Sequence, residues 1–385
     1  MVDLTEFKSI SPYTDAEASE ALSKVAELPL ISQISKQIFP SESPEYLKNV
    51  LKQIQTVEQF QVLVMQRFVR WVLENTAGNF TYDGVDNISP DKKFLTLSNH
   101  RDIILDPAIT QLVLHINGIP MTEIAVGDNL ISNEAMEWFI RSNRMIKVVR
   151  GVSPRELYLS SQLLSRYIRL NITEQRNSIW LAQRQGRTKD GYDTTEQGLL
   201  KMLDMSGGDD FQKNFEELNI TPMSISYEYE PCDILKAREL VISRTQKYVK
   251  AEGEDTNSIV TGVMQYKGDI HLHICEPLSK EEIAEAAACD KNDRYQVIRR
   301  AIDRRVISGY KLFKTNYIAF DLLNQSTKYS DMYEQSDVEK FVAYMEKQLA
   351  KLEPDLDRAE LKEVFLTIYA NSVVTKELLE KGELN

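Results

Sequence analysis

The stretch Ser98–Pro107, SNHRDIILDP, holds His100, one of only four histidines in the chain, with Asp102 and Asp106 close behind it. A histidine held by a carboxylate is the common arrangement for a general base that deprotonates a hydroxyl. His100 with Asp106, or alternatively with Asp102, is therefore a candidate dyad. The bland reading is that Asp106 caps a helix and His100 only bonds the turn. His-Arg-Asp also begins a protein-kinase catalytic loop, but there an asparagine follows five residues after the aspartate. Here that position is Pro107, and the chain has neither Asp-Phe-Gly nor a glycine-rich nucleotide loop. The kinase reading is excluded.

The elements around the stretch decide whether such a dyad can be presented. KFLTLS before it is a short apolar strand, and Asp106-Pro107 suits the cap and first turn of a following helix. His100 then lies in the loop between strand and helix, where open α/β sheets commonly present reactive groups. Apolar spacing predicts helices over residues 15–35 and 44–77, followed by a turn-rich link, AGNFTYDGVDNISPDKK. Beyond the link, helices (DPAITQLVLHI, EAMEWFIRS, RELYLSSQLLSRYIRL, TEQGLLKMLDM) alternate with strands (MIKVVRG, SIWLAQ, TPMSISYEY). Residues 234–265 read as a polar helix and a loop, GDIHLHICEPL as a late strand, and residues 281–385 as mostly helical. The expected class is α/β, a central mixed sheet flanked by helices. The expected division is a helical N-terminal region (1–80), an α/β core (81–280) and a helical C-terminal region (281–385).

Composition narrows the function. The 385 residues, 42% hydrophobic and 27% charged, have a globular balance. Cys232, Cys275 and Cys289 have no metal or redox spacing, which fits a reducing compartment. The N-terminus does not resemble a signal peptide, and no run of about eighteen apolar residues marks a membrane span. The formal net charge of -12 argues against nucleic acid as a partner. From Phe139 to Lys189, however, eleven lysines and arginines face only Glu156 and Glu174. That run is either a solvated face or a site for a phosphorylated or acidic ligand. His271 and His273 alternate on one strand face, but no third ligand is evident, so no metal is assigned. His115 reads as structural, and Trp71, Trp138 and Trp180 as core.

The NH…DP pattern resembles the first motif of the glycerolipid acyltransferase superfamily, which includes glycerol-3-phosphate and lysophosphatidate acyltransferases. Three further motifs follow in that family's order over about residues 98–230. IKVVRG offers a strand ending in Arg150, followed by RELYLSSQLLSRYI. WLAQRQGRTKDG offers Gly186, Arg187 and Thr188. ITPMSISYEY offers the proline-led strand with Pro222. Two departures stand out. Five residues, not the family's four, separate His100 from Asp106, and on a regular helix one residue turns a side chain by about 100°. Either a bulge absorbs the insertion, or Asp102 is the partner; Asp106 is favoured, because Asp-Pro is a common end of that motif. The acidic residue of the third motif is also missing. Gln185 or Arg184 stands in its place, and a glutamine can hydrogen-bond but carries no charge.

The resemblance implies transfer of a fatty acyl group from acyl-CoA or acyl carrier protein to the hydroxyl of glycerol-3-phosphate. His100 and Asp106 would be catalytic. Arg150, Gly186, Arg187 and Lys189 would hold the acceptor, with Arg101 a weaker candidate, and amides near Gly186 would face the oxyanion. Such direct transfer uses no metal, no cofactor and no covalent enzyme intermediate. The expected setting is cytoplasmic, peripheral on the inner membrane face. A lysophospholipid or acylated amino acid as acceptor, or a non-catalytic lipid-binding relative, are the rival readings.

Overall fold

The computed structural model describes residues 4–384. Its centre is a seven-stranded sheet built from β1 (Ala77–Asp83), β2 (Leu95–Ser98), β3 (Glu123–Gly127), β4 (Met145–Val148), β5 (Ile179–Ala182), β6 (Met223–Tyr227) and β7 (Gly268–Ile274). The strand order is β1-β7-β6-β2-β5-β3-β4. Strands β2 to β6 are mutually parallel, β7 is antiparallel to β6, and β1 runs parallel to β7. The sheet is therefore mixed, as expected, and its five parallel strands all end at one edge.

Helices cover both faces. Leu95, Leu97, Ile179 and Leu181 pack against the Pro154–Thr173, Gln197–Asp204 and Asp293–Gly309 helices. Met223, Ile225, Ile270 and Leu272 pack against the Gln66–Thr76 and Leu105–Ile116 helices on the opposite face. Every residue of β2 is buried, as a parallel strand covered on both sides requires. The polar Thr96 in its middle donates its hydroxyl to the Thr221 carbonyl at 2.6 Å, so its burial leaves no orphaned group.

Several elements differ from the sequence expectations. The helix expected over 15–35 is two helices, Asp15–Val25 and Leu30–Ile38, separated just ahead of Leu30 by Pro29, which disfavours helix in the residue before it. The 44–77 helix is also divided. Tyr46–Gln53 ends at Ile54, and Thr56 starts a new turn by accepting from the Gln59 amide at 3.1 Å. The link after it opens with β1, and β3 was not anticipated at all. β1 contributes only the partly buried Ala77, Phe80 and Tyr82 to the apolar core. Its extended form follows from pairing with β7, nearly two hundred residues later, which local sequence does not report. Residues 234–265 hold two helices, Asp233–Thr245 and Glu254–Met264. The C-terminal region is mostly helical, as expected, and packs through Ile318, Phe341, Phe365 and Tyr369 onto Ile234 and Val241. Among the described residues no helix is long and apolar enough to cross a membrane.

Glu123 opens β3 as a buried carboxylate. Tyr167 Oη and Asn177 Nδ2 each donate to it at 2.8 Å. Burial outweighs these bonds and pushes its pKa up to about 7. Between the ordinary carboxylate range and pH 7 the folded chain therefore holds a proton that the unfolded chain releases. The associated stability is complete at acid pH and is lost as pH rises toward 7. Glu123→Gln is expected to raise Tm at pH 8 and to flatten the decline between pH 5 and 7. Parallel Tm–pH curves for the two proteins would contradict this.

Candidate active site

His100 leaves the carboxyl end of β2 in the middle of the sheet. Four residues, Arg101–Ile104, then turn the chain before the Leu105–Ile116 helix begins. Because this segment is a turn and not a helix, the additional residue does not rotate Asp106 away. His100 Nδ1 and Asp106 Oδ2 lie 2.8 Å apart. The same Asp106 oxygen accepts from the amides of Arg101 at 2.6 Å and Asp102 at 2.9 Å, and Oδ1 accepts from the Tyr227 hydroxyl at 2.8 Å. Four donors thus fix the carboxylate, and the carboxylate fixes the imidazole. The bond at Nδ1 leaves Nε2 as the ring nitrogen that can take a proton. The buried Trp180 ring and the imidazole meet edge to face, with centroids 5.8 Å apart.

Asp102 has the role that the sequence reading gave to Asp106. Its Oδ1 accepts from the amides of Ile104 and Leu105, both at 2.8 Å, and so satisfies the start of the helix. Its other oxygen packs against Gly262 in the Glu254–Met264 helix, where any Cβ would collide with it. Burial, with the neighbouring Asp106 charge second, raises its pKa.

Arg101, a weaker candidate for ligand binding, is instead a buried strut. Its guanidinium reaches Asp193 at 2.5 Å, Glu230 at 3.3 Å and the Gly191 carbonyl at 3.2 Å, and stacks over Tyr310 at 4.9 Å. Lys236 also donates to Glu230, at 2.6 Å, and to the Arg101 carbonyl, at 2.8 Å. Asp193 in turn accepts from Asn99 Nδ2 and from the Thr188 hydroxyl. Thr188 completes the link by donating its amide to the His100 carbonyl at 2.8 Å. The loops after β2, β5 and β6 are thereby joined under the histidine.

The remaining expected site residues share the same edge of the sheet. Gly186 adopts φ +72°, the left-handed conformation that glycine accepts without strain, in the turn after β5. Arg187 and Lys189 line a cavity of about 310 Å³ with Lys236, Arg238 and Tyr248. Arg187 Nη1 is buried there without a protein partner, while Lys189 is ion-paired with Glu239. Burial, with Lys250 and Arg187 adding repulsion, moves the Lys189 pKa down to about 8. Arg150 packs its guanidinium over Gly127 at the end of β3 and is partly desolvated, which lowers its pKa. The fields of both Arg150 and Arg187 reach Asp255 in the first turn of the Glu254–Met264 helix.

Four other arginines of the basic run are engaged elsewhere. Arg141 bonds the Ser11 and Lys8 carbonyls, Arg144 bonds Gln61, Arg166 pairs with Glu6, and Arg169 bonds Glu217 and the Leu203 carbonyl. These arginines fasten helices together. Asn99, Asp193, Tyr227 and Glu230 support the site and were not singled out from sequence. Asn99 stands beside His100 and Tyr227 lies in the SISYEY strand, but nothing local marks either one as reaching the dyad.

A second cavity, of about 340 Å³ and almost wholly apolar, opens beside the dyad loop. Ile104, Pro107 and Ala108 form one wall, the N-terminal helices contribute Ile34, Phe39 and Val64, and Ile259 and Val263 close it.

Residues 79–202 match the family model described as Acyltransferase. That segment holds the dyad, Arg150, Gly186, Arg187 and Lys189. Among solved structures, the chain is similar to the 1-acyl-sn-glycerophosphate (LPA) acyltransferase PlsC from Thermotoga maritima. The match has 12% identity and a TM-score of 0.39, and covers 74% of this chain and 92% of that one. No curated protein matches the chain.

The Arg101 cluster can be tested by stability. Arg101→Met leaves Asp193 and Glu230 as buried carboxylates with one cation between them. A loss of roughly 3–5 kcal/mol is expected. A loss below about 1 kcal/mol in urea unfolding would show that the cluster does not hold the loop.

Proposed function

We propose that this protein transfers a fatty acyl group from an acyl thioester, acyl-CoA or acyl carrier protein, to the hydroxyl of glycerol-3-phosphate. The observation that carries this reading is the position of the His100–Asp106 pair. It lies within a segment matching the acyltransferase model, with an apolar cavity beside it and an arginine-lined cavity at the same sheet edge.

In this reading the acyl chain occupies the apolar cavity, and the acceptor phosphate meets Arg187 with Arg150 near it. Arginine presents a planar fork that matches phosphate oxygens. Lys189, neutralised by Glu239, contributes less than Arg187. His100 Nε2 takes the proton from the acceptor hydroxyl as its oxygen attacks the thioester carbonyl. Asp106 keeps the other proton on Nδ1 and stabilises the imidazolium that forms. The tetrahedral intermediate collapses with cleavage of the carbon–sulfur bond, and the imidazolium returns its proton to the departing thiolate. Amides near Gly186 are the candidates for holding the oxyanion; the Thr188 amide is not among them, since it is bonded to His100. Release of a lysolipid product fits brief contact with a membrane surface from the cytoplasmic side.

His100→Ala is expected to lower kcat by roughly 10²–10⁴-fold while leaving the circular dichroism spectrum intact. Retained transfer would sink the mechanism. Asp106→Asn should approach that loss, whereas Asp102→Asn, whose amide oxygen can still cap the helix, should stay within a few-fold of wild type. Equal losses in the two would disprove the assignment of Asp106. Acceptor identity is tested with a single acyl-CoA and a panel of glycerol-3-phosphate, lysophosphatidate and acylated amino acids. Preference for either of the latter two would replace the acceptor named here but keep the dyad. Ile34→Trp, which fills the apolar cavity, should raise KM for long acyl chains more than for short ones. An unchanged chain-length profile would remove that cavity from the reading.

A further inference from the structure

The two histidines of the HLH strand acquire a third neighbour in the fold. β1 and β7 pair in parallel with Thr81 opposite His271 and Asp83 opposite His273. On β7, Ile270, Leu272 and Ile274 face the core, so both imidazoles project from the other face. Asp83 projects from the end of β1 on the same side as the imidazoles. Its Oδ1 lies 3.6 Å from His271 Nε2 and is in direct contact with His273 Nδ1. The three candidate ligand atoms all lie within 4.8 Å of one another. Bonds of about 2.0–2.1 Å in a tetrahedral zinc site put neighbouring ligand atoms roughly 3.4 Å apart, so little movement is needed.

We propose that Asp83, His271 and His273 form a binding site for a divalent transition metal of the zinc class, which fastens the edge strand β1 to β7. Two imidazoles and one carboxylate suit zinc and its neighbours; they do not suit magnesium or calcium, which take oxygen ligands. The surroundings hold the ligands in place. His271 Nδ1 meets the Thr81 hydroxyl at 2.9 Å, which orients the ring and leaves Nε2 for the metal. Gly84, at φ +74°, lies against the Ile274 carbonyl, and Asn87 Nδ2 donates to that carbonyl at 2.8 Å. The backbone just after Asp83 is thereby clamped to the backbone just after His273. The His273 ring rests on Gly309, where a side chain would collide with it. The charge of Lys311 also acts on His271 and opposes a bound cation, and the Asp83 carboxylate offsets it.

Because β1 and β7 run against the other five strands, their carboxyl ends lie at the edge opposite His100. The site is consequently a structural one. It ties the end of the N-terminal helical region, which leads directly into β1, to the sheet.

The test uses the full chain freed of any purification tag, with Zn²⁺ followed by calorimetry and Co²⁺ by its visible spectrum. Wild type should bind one Zn²⁺ per chain, show tetrahedral Co²⁺ bands and gain Tm on addition of Zn²⁺. The His271→Ala/His273→Ala double variant should lose all three responses. Asp83→Asn, a change at an exposed side chain, supplies the same test should the double variant fail to fold. Thr81→Val should weaken binding by roughly tenfold. The proposal is overturned by absence of binding in wild type, or by unchanged stoichiometry in the variants, which would put the metal on other residues. Loss of acyl transfer on stripping the metal, with Tm and the circular dichroism spectrum unchanged, would overturn the structural role.

Discussion

The Asp106 carboxylate is the point on which the arrangement of this molecule turns. Four donors converge on it: an imidazole from the strand exit, two consecutive backbone amides and a tyrosine hydroxyl from the neighbouring strand. The amides belong to the tight turn after β2, so the turn and the histidine are fixed by the same group. Tyr227 can reach only because β6 lies beside β2 and runs parallel to it. Carboxylates accept such convergent bonds well, and each donor restricts the others. A histidine on a loop is thus held with the rigidity of the sheet.

Beneath that turn lies the second constraint, a fully buried guanidinium. Taking Arg101 out of water costs several kcal/mol, and only partners from elsewhere in the chain offset it. Asp193 comes from the loop after β5, Glu230 from the exit of β6, and Tyr310 from the C-terminal region. Tyr369 holds the Glu230 amide from the long Arg358–Glu380 helix. The C-terminal helices, which in sequence read as a separate helical region, are therefore part of what keeps the dyad loop in place. An acidic protein can also present a basic cavity here, because Arg141, Arg166 and Arg169 of its basic run are taken up by carbonyls and carboxylates elsewhere, whereas Arg187 keeps a buried nitrogen unpartnered.

Legibility in the sequence followed the range of the interactions concerned. The β2 strand, the helices flanking it and the α/β class were visible because apolar periodicity is local. The breaks in the N-terminal helices were partly visible, at Pro29 and Thr56, but were not read as ends. β1 and β3 were missed because their strand state depends on partners far along the chain. In the site, His100 and Asp106 were legible as residue types at a meaningful spacing, whereas Arg101 had no local signal to distinguish it from a ligand-binding arginine. Its burial is a property of three distant loops. His271 and His273 were read correctly as sharing a face, and Asp83 was invisible to that reading because it sits in β1.

By itself, the sequence determined which groups were available and in which short elements they would lie. It offered a histidine and two aspartates after a strand, arginines after two others, and apolar helices around them. It could not choose between Asp102 and Asp106, because a one-residue difference matters only once the intervening backbone has a shape. Tertiary structure made that choice. The chain between them turns instead of forming a helix, Asp102 is used to cap the next helix, and Tyr227 together with two amides holds Asp106 against the imidazole. Long-range pairing likewise decided which arginines are struts and which face a cavity, since burial and partnership are properties of neighbours that the order of residues does not contain.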